Sequence, residues 1–105
     1  MTSPFDDHAR PMFTVGQVAE MLELQQPFLR RLDSHELVSP ARSAGAQRRY
    51  SRTDIDRIAG ICDLIDEGLT LEGVKRVMAL QAEVDDLKGQ LADARRQLRN
   101  RGTTR

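Results

Sequence analysis

Between Ala41 and Arg52 the chain carries four arginines, Arg42, Arg48, Arg49 and Arg52, and no acid. Over all 105 residues the 16 basic and 16 acidic side chains cancel, so this excess is a matter of placement, not of composition. A guanidinium is a permanently charged fork that matches phosphate oxygens, and a cluster of them suits a polyanion. Upstream lie Gln25, Gln26, Arg30 and Arg31. Gln suits the edge of adenine and Arg that of guanine, at roughly 1–3 kcal/mol of discrimination per good bidentate contact. Any one arginine would ordinarily be a solvated or ion-paired surface group. Here the clustering argues for double-stranded nucleic acid.

Two aromatic residues sit beside these groups with open roles. Tyr50 either offers its hydroxyl to a phosphate or packs the arginine-rich segment against the preceding helices. Phe28 is either a core residue or a contact to a thymine methyl, with core favoured. His35 reads as a turn residue.

Other chemistry finds little support. Two histidines and the single Cys62 supply no nucleophile–base pair and no metal triad, and no phosphate loop occurs. An enzyme, a cofactor and a small-molecule ligand are therefore not expected. One cysteine allows no intrachain disulfide, which fits a reducing cytosol. No apolar run approaches the roughly 20 residues of a membrane span, and the N-terminus lacks a hydrophobic signal core. The expected place is the cytoplasm, at the nucleoid.

The elements that must position these groups can be read in order. Residues 1–11 hold Pro4 and Pro11 without periodicity and read as a flexible arm. Thr14 and Gln17 form a capping-box pattern, and Val15, Val18, Ala19 and Leu22 recur on one helical face. After a break near Glu23–Gln26, Pro27 is placed to open a second helix, with Leu29 and Leu32 as its buried stripe. Two helices with so small a gap pack steeply, as in a helix-turn-helix. Gly45 suits the turn of the hairpin that follows. Thr53 is the expected N-cap of a third helix with Ile55, Ile58, Ala59, Cys62 and Ile65 on its inner face. Cys62 is expected to be a buried structural thiol. Gly68 closes that helix and Thr70 caps a fourth, which continues into the last. The apolar positions Val77, Leu80, Val84, Leu87, Leu91, Ala94 and Leu98 are spaced three, four, three, four, a heptad seam. About 22 residues make a rod of roughly 33 Å, too long for the small domain to cover.

The fold class is thus mostly all-α: a winged helix-turn-helix over 12–79, a coiled-coil dimerisation helix over 80–98, and a flexible tail over 99–105. Paired copies would read a palindromic operator.

With these residues in view, the chain resembles the MerR family of bacterial transcription regulators. TVGQVAEML matches the first helix, LRRLDSHELVSP the recognition helix and its exit, and RSAGAQRRYS the wing. DIDRIAGICDLIDEGLTLEGVKRVM matches the next helix pair, before the heptad helix. VSPARSAGAQRRYS and the short length are most similar to the HspR heat-shock repressor branch. The resemblance implies an antiparallel coil in a homodimer, although Val at a and Leu at d would by themselves suggest a parallel one. It implies Arg30 as a DNA contact, and RNA polymerase or a DnaK-type chaperone as a further partner. Relatives both activate through underwound operators and repress. Metal- and thiol-sensing relatives carry cysteines at the dimer helix, where this chain has none. The family usually places a phosphate-contacting Tyr at Leu32 and a Gly at Glu36.

The leading expectation is a sequence-specific, homodimeric transcriptional regulator without a dedicated ligand-binding domain. The alternatives are an excisionase-like architectural factor that bends DNA, and a protein-interaction adaptor that has lost DNA binding.

Overall fold

The computed structural model describes residues 7–103. Residues 1–6 of the expected arm and residues 104–105 of the expected tail lie outside the described residues. The chain divides into two compact units between Gly68 and Leu69.

In the first unit, strand β1 (Phe13–Thr14) runs into helix α1 (Val15–Leu22). The capping box is formed as its pattern predicts: Gln17 N donates to Thr14 Oγ1 at 3.1 Å, and Thr14 N donates to Gln17 Oε1 at 2.8 Å. Two donors that helix geometry leaves orphaned are so satisfied. The helix ends at Glu23, whose φ of 54° is left-handed. Leu24 N donates to Ala19 O at 2.8 Å and Glu23 N to Glu20 O at 3.4 Å, the two bonds of a Schellman motif.

Helix α2 (Gln26–Ser34) starts one residue earlier than Pro27 suggests; Pro27 lies within the first turn, where its missing N–H still breaks no bond. Its exit repeats that of α1. Leu37 N donates to Leu32 O and Glu36 N to Asp33 O, each at 2.9 Å, with Glu36 at φ 59°. Glu36 therefore preserves the left-handed exit that a glycine would take more cheaply.

The wing pairs β2 (Ala41–Arg42) with β3 (Arg48–Tyr50), and β3 also pairs with β1, giving the antiparallel order β1-β3-β2. Its turn corrects one expectation: the left-handed residue is Ala46 at φ 63°, not Gly45. Ser43 holds the turn from both sides, its carbonyl accepting from Ala46 N and its N–H donating to Gln47 O, each at 2.8 Å.

Helix α3 (Arg52–Asp66) is capped by Ser51, not by Thr53. Asp54 N donates to Ser51 Oγ at 3.0 Å, and Ser51 N donates to Asp54 Oδ2 at 2.9 Å. Thr53 instead reaches the N-terminal segment: its N–H and Oγ1 donate to His8 O at 3.0 and 3.1 Å. Met12 N donates to Tyr50 O at 3.0 Å. The segment after residue 7 is thus fastened to the first turn of α3 and the end of β3. The inner face of α3 is centred on Ile55, Ile58 and Ile61, all buried, while Cys62 is only half-buried. These isoleucines close a core with Val18, Leu29, Leu32, Leu37, Val38 and Tyr50. Each fully buried Leu or Ile contributes roughly 1.5–3 kcal/mol.

The second unit is helix α4 (Leu71–Thr103). Gly73 N donates to Thr70 Oγ1 at 3.1 Å, the expected cap. Its 33 residues make a rod of roughly 50 Å. Leu80, Val84, Leu87, Leu91 and Leu98 are 47–66% exposed along it, so the seam lies open in the single chain.

Candidate nucleic-acid interface

Burying Leu29 and Leu32 turns the opposite face of α2 outward, and that face carries Gln25, Gln26, Arg30 and Arg31, all exposed. Gln25 is the N-cap and makes no side-chain capping bond. Gln26 and Arg30 lie one turn apart and touch, Arg30 Nη2 donating to Gln26 Oε1 at 3.3 Å. Arg31 occupies the last turn, where its charge favours the helix dipole.

The wing stands beside this helix because of Asp33. Arg42 and Arg48 are register partners across the β2–β3 pair, a like-charge pairing that would by itself be unfavourable. Asp33 Oδ2 accepts from Arg42 Nη2 at 2.9 Å and from Arg48 Nε at 2.9 Å. One carboxylate at the end of α2 thus offsets both charges and ties the wing to the helix. Asp33 and Arg48 are about one-fifth to one-quarter exposed, whereas Arg42 is nearly half exposed. The guanidinium of Arg48 is therefore largely a structural group, and that of Arg42 keeps an open side.

Arg49 occupies the central strand, opposite Thr14 on one side and Ala41 on the other. Its Nη1 donates to Arg48 O at 3.1 Å. An open groove of about 360 Å³ runs here between the start of α1 and the wing, with Thr14, Val15, Arg42, Arg48 and Arg49 in its walls. The first turn of α1, with its partial positive charge, and three arginines so line one space. Arg52 lies apart from them, 5.8 Å above the Phe13 ring.

Tyr50 is corrected as a candidate phosphate ligand. It is 1% exposed, and among the described residues its hydroxyl is enclosed without a hydrogen-bond partner. Burial pushes its pKa upward; Arg48 opposes the shift and Asp33 adds to it. The ring packs the wing onto the core. Leu32 is fully buried as well, so a side chain at that position faces the core and its lack of a hydroxyl takes nothing from the outer surface. Phe28 lines a groove with Leu22, Cys62 and Ile65, on the side of α3. At Cys62, burial and then the neighbouring Asp66 and Asp63 push the thiol pKa up, away from thiolate chemistry. Among the described residues no cluster of three or more His, Cys, Asp or Glu could hold a metal ion, and no helix is long and apolar enough to cross a membrane.

The order of these elements, two capped helices, an arginine-bearing wing, then α3 and a long α4, coincides with a family model. The model for the MerR HTH family of regulatory proteins matches residues 13–81. The chain belongs to the MerR family. Among curated MerR-type relatives it is 36% identical over 76 residues to the HTH-type transcriptional regulator GlnR of Bacillus anthracis, an alignment covering 72% of this chain and 59% of that protein. It is 37% identical over 84 residues to the putative heat shock protein HspR of Streptomyces coelicolor, covering 79% of this chain and 56% of that one. The chain therefore spans under three-fifths of the length of these relatives. The MerR fold is also that of the N-terminus of MtaN, the Bacillus subtilis multidrug transporter activator, at a TM-score of 0.58 and 26% identity, covering 89% of this chain and 99% of that one. HiNmlR, a MerR family regulator lacking the sensor domain and solved bound to promoter DNA, matches in fold at a TM-score of 0.58 and 20% identity, covering 82% of this chain and 77% of that one.

Nothing in the sequence signalled the role of Asp33, because its partners Arg42 and Arg48 lie nine and fifteen positions away.

Proposed function

We propose that this chain is a sequence-specific DNA-binding transcriptional regulator that works as a homodimer on a palindromic operator. The observation that carries the reading is the outward face of α2, with Gln25, Gln26, Arg30 and Arg31, held beside the wing by the Asp33 bridge to Arg42 and Arg48. In this reading α2 enters the major groove, where Gln26 and Arg30 separate to meet base edges. Arg42, Arg49 and Arg31 neutralise phosphates on either side. Arg48 keeps the wing at its angle.

Dimerisation follows from the open seam on α4. Several large apolar side chains half exposed in one stripe are unfavourable in water and are covered by a second α4, antiparallel as in the family the chain resembles. Two copies then place two recognition helices at a separation set by the rod, so the operator repeats with that spacing.

The test is fluorescence anisotropy on a labelled duplex from the region upstream of the protein's own gene, against a scrambled duplex, over a range of salt. Preferential binding that weakens steeply with salt, and is lost with Arg30→Ala, supports the reading. Equal affinity for both duplexes, or wild-type affinity in Arg30→Ala, rejects it.

A further inference from the structure

The segment over residues 7–13 runs ahead of α1 and grips the corner where β3 turns into α3. The chain makes that corner at Ser51, the cap of α3. On the strand side, Met12 N donates to Tyr50 O at 3.0 Å and lengthens the β1–β3 pairing by one bond. On the helix side, Thr53 N and Oγ1 both donate to the carbonyl of His8, at 3.0 and 3.1 Å. Between the two, the Arg52 guanidinium lies 5.8 Å from the centre of the Phe13 ring.

A turn built on Asp7 aims the His8 carbonyl. Ala9 N donates to Asp7 Oδ1 at 3.0 Å, and Arg10 N donates to Asp7 O at 3.2 Å. The N–H of Ala9 and the C=O of His8 belong to one trans peptide and point in opposite directions. Holding the N–H toward Asp7 therefore turns the carbonyl away from the turn, toward Thr53. Thr53 is free of capping duty, because Ser51 fills that role.

The wing needs such a hold. β1 and β2 are two residues long and β3 is three, and pairings so short are marginal by themselves. Asp33 fastens the hairpin at Arg42 and Arg48. Helix α3, by contrast, is anchored in the core by Ile55, Ile58 and Ile61. A segment bound on both sides of the Ser51 corner fixes the angle between β3 and α3. It so carries the anchorage of α3 to Tyr50 and to its neighbour Arg49.

We infer that residues 7–13 form a strap that sets the angle of the wing for DNA, with Thr53 as a positioning residue and Asp7 as its support. The inference rests on the DNA-binding reading above. The strap adds no DNA contact of its own. It orders the wing before DNA arrives, so that less freedom is lost on binding. Residues 7–12 precede the stretch matched by the family model, so the strap lies outside the matched domain.

The test compares Asp7→Ala/Thr53→Val, Thr53→Val, Thr53→Ser and Arg10→Ala with the wild type in the full chain. Anisotropy over a range of salt gives operator affinity, and amide hydrogen exchange read by mass spectrometry gives local order. The double variant should bind the operator about fivefold more weakly with an unchanged salt slope. Its peptides over residues 41–50 should exchange faster, while those from α2 keep their protection. Thr53→Ser keeps the hydroxyl donor and should behave as wild type. Arg10→Ala leaves both bonds to the His8 carbonyl in place and should do the same. A salt slope shallower by about one in the double variant or in Arg10→Ala makes the segment a phosphate contact and overturns the strap. Unchanged exchange over 41–50, faster exchange throughout the unit, wild-type affinity in the double variant, or Thr53→Ser as weak as Thr53→Val also overturns it. A wild type that does not distinguish the operator from a scrambled duplex rejects the DNA-binding reading instead, and the exchange data then still decide whether the segment holds the wing.

Discussion

Asp33 Oδ2 and Arg48 Nε meet at 2.9 Å and join the last turn of α2 to the wing. Because Arg42 shares the same oxygen, removing the carboxylate leaves two guanidiniums opposed across the hairpin. Asp33→Asn should lower stability by about 1–2 kcal/mol, since the groups are only partly screened. Urea denaturation measures this. A double-mutant cycle with Arg48→Ala should show coupling between the two sites, and independent, additive effects would refute the bridge.

Arg30 and Arg49 should fail differently on DNA. In the proposed complex Arg30 meets a base edge, so Arg30→Ala should cost about 1–3 kcal/mol on the operator but little on a scrambled duplex. Arg49 is the proposed phosphate contact, so Arg49→Ala should weaken both duplexes alike and reduce the salt slope by about one. Anisotropy titrations at several salt concentrations separate the two.

The enclosed hydroxyl of Tyr50 has no partner among the described residues, so removing it should not harm the fold. Tyr50→Phe is expected to be neutral or to stabilise by up to about 1 kcal/mol, and to leave operator affinity unchanged. A loss of affinity would return the hydroxyl to the DNA surface. The pH dependence follows from its raised pKa. The unfolded chain releases this proton at the ordinary value of 10.0, before the folded protein does. Stability from the neutral phenol is therefore complete below pH 10.0 and is lost as pH rises through the higher folded value. Tyr50→Phe should remove that alkaline component of unfolding.

Glu23, Glu36 and Ala46 are left-handed residues with side chains that the backbone does not favour. Glu36→Gly and Ala46→Gly should each raise stability by about 0.5–1 kcal/mol, the relief of strain exceeding the entropy glycine adds to the unfolded chain. The denaturation midpoint should rise with no change in slope.

Leu87 lies mid-seam and is 55% exposed in the single chain. In the proposed dimer, Leu87→Asp should break the seam, leaving a monomer in sedimentation equilibrium and reducing operator affinity at least tenfold, while its unfolding transition retains the first unit. A dimer that persists would place the interface elsewhere.

Much of the local structure was legible because its causes act over three or four residues. Thr14 and Gln17 satisfy each other at a spacing written in the chain, and Thr70 caps α4 by accepting from Gly73 N three residues on. The uninterrupted run of α4 follows from a seam without a helix breaker. Misreadings came where two local solutions compete. Ser51 and Thr53 are both good caps, and the choice fell to Ser51 because Thr53 is taken by the carbonyl of His8, 45 positions away. In the hairpin, Gly45 marked the turn, but the Ser43–Ala46 and Ser43–Gln47 bonds put the left-handed residue one place later.

The sequence by itself determined the elements, the arginine-rich wing between two helices and a long helix, and the apolar stripe, since periodicity, caps and charge placement are local properties. Tertiary structure alone decided what the charged and polar groups do. Arg48 is committed to Asp33 while Arg42 shares that carboxylate and keeps an open side, Tyr50 is sealed in the core and Leu32 faces inward, because each depends on which distant residue the fold brings within about 3 Å or shields from water. A hydrogen bond or a burial is a relation between positions far apart in the chain, and only the packing of α2 against the wing and α3 creates it.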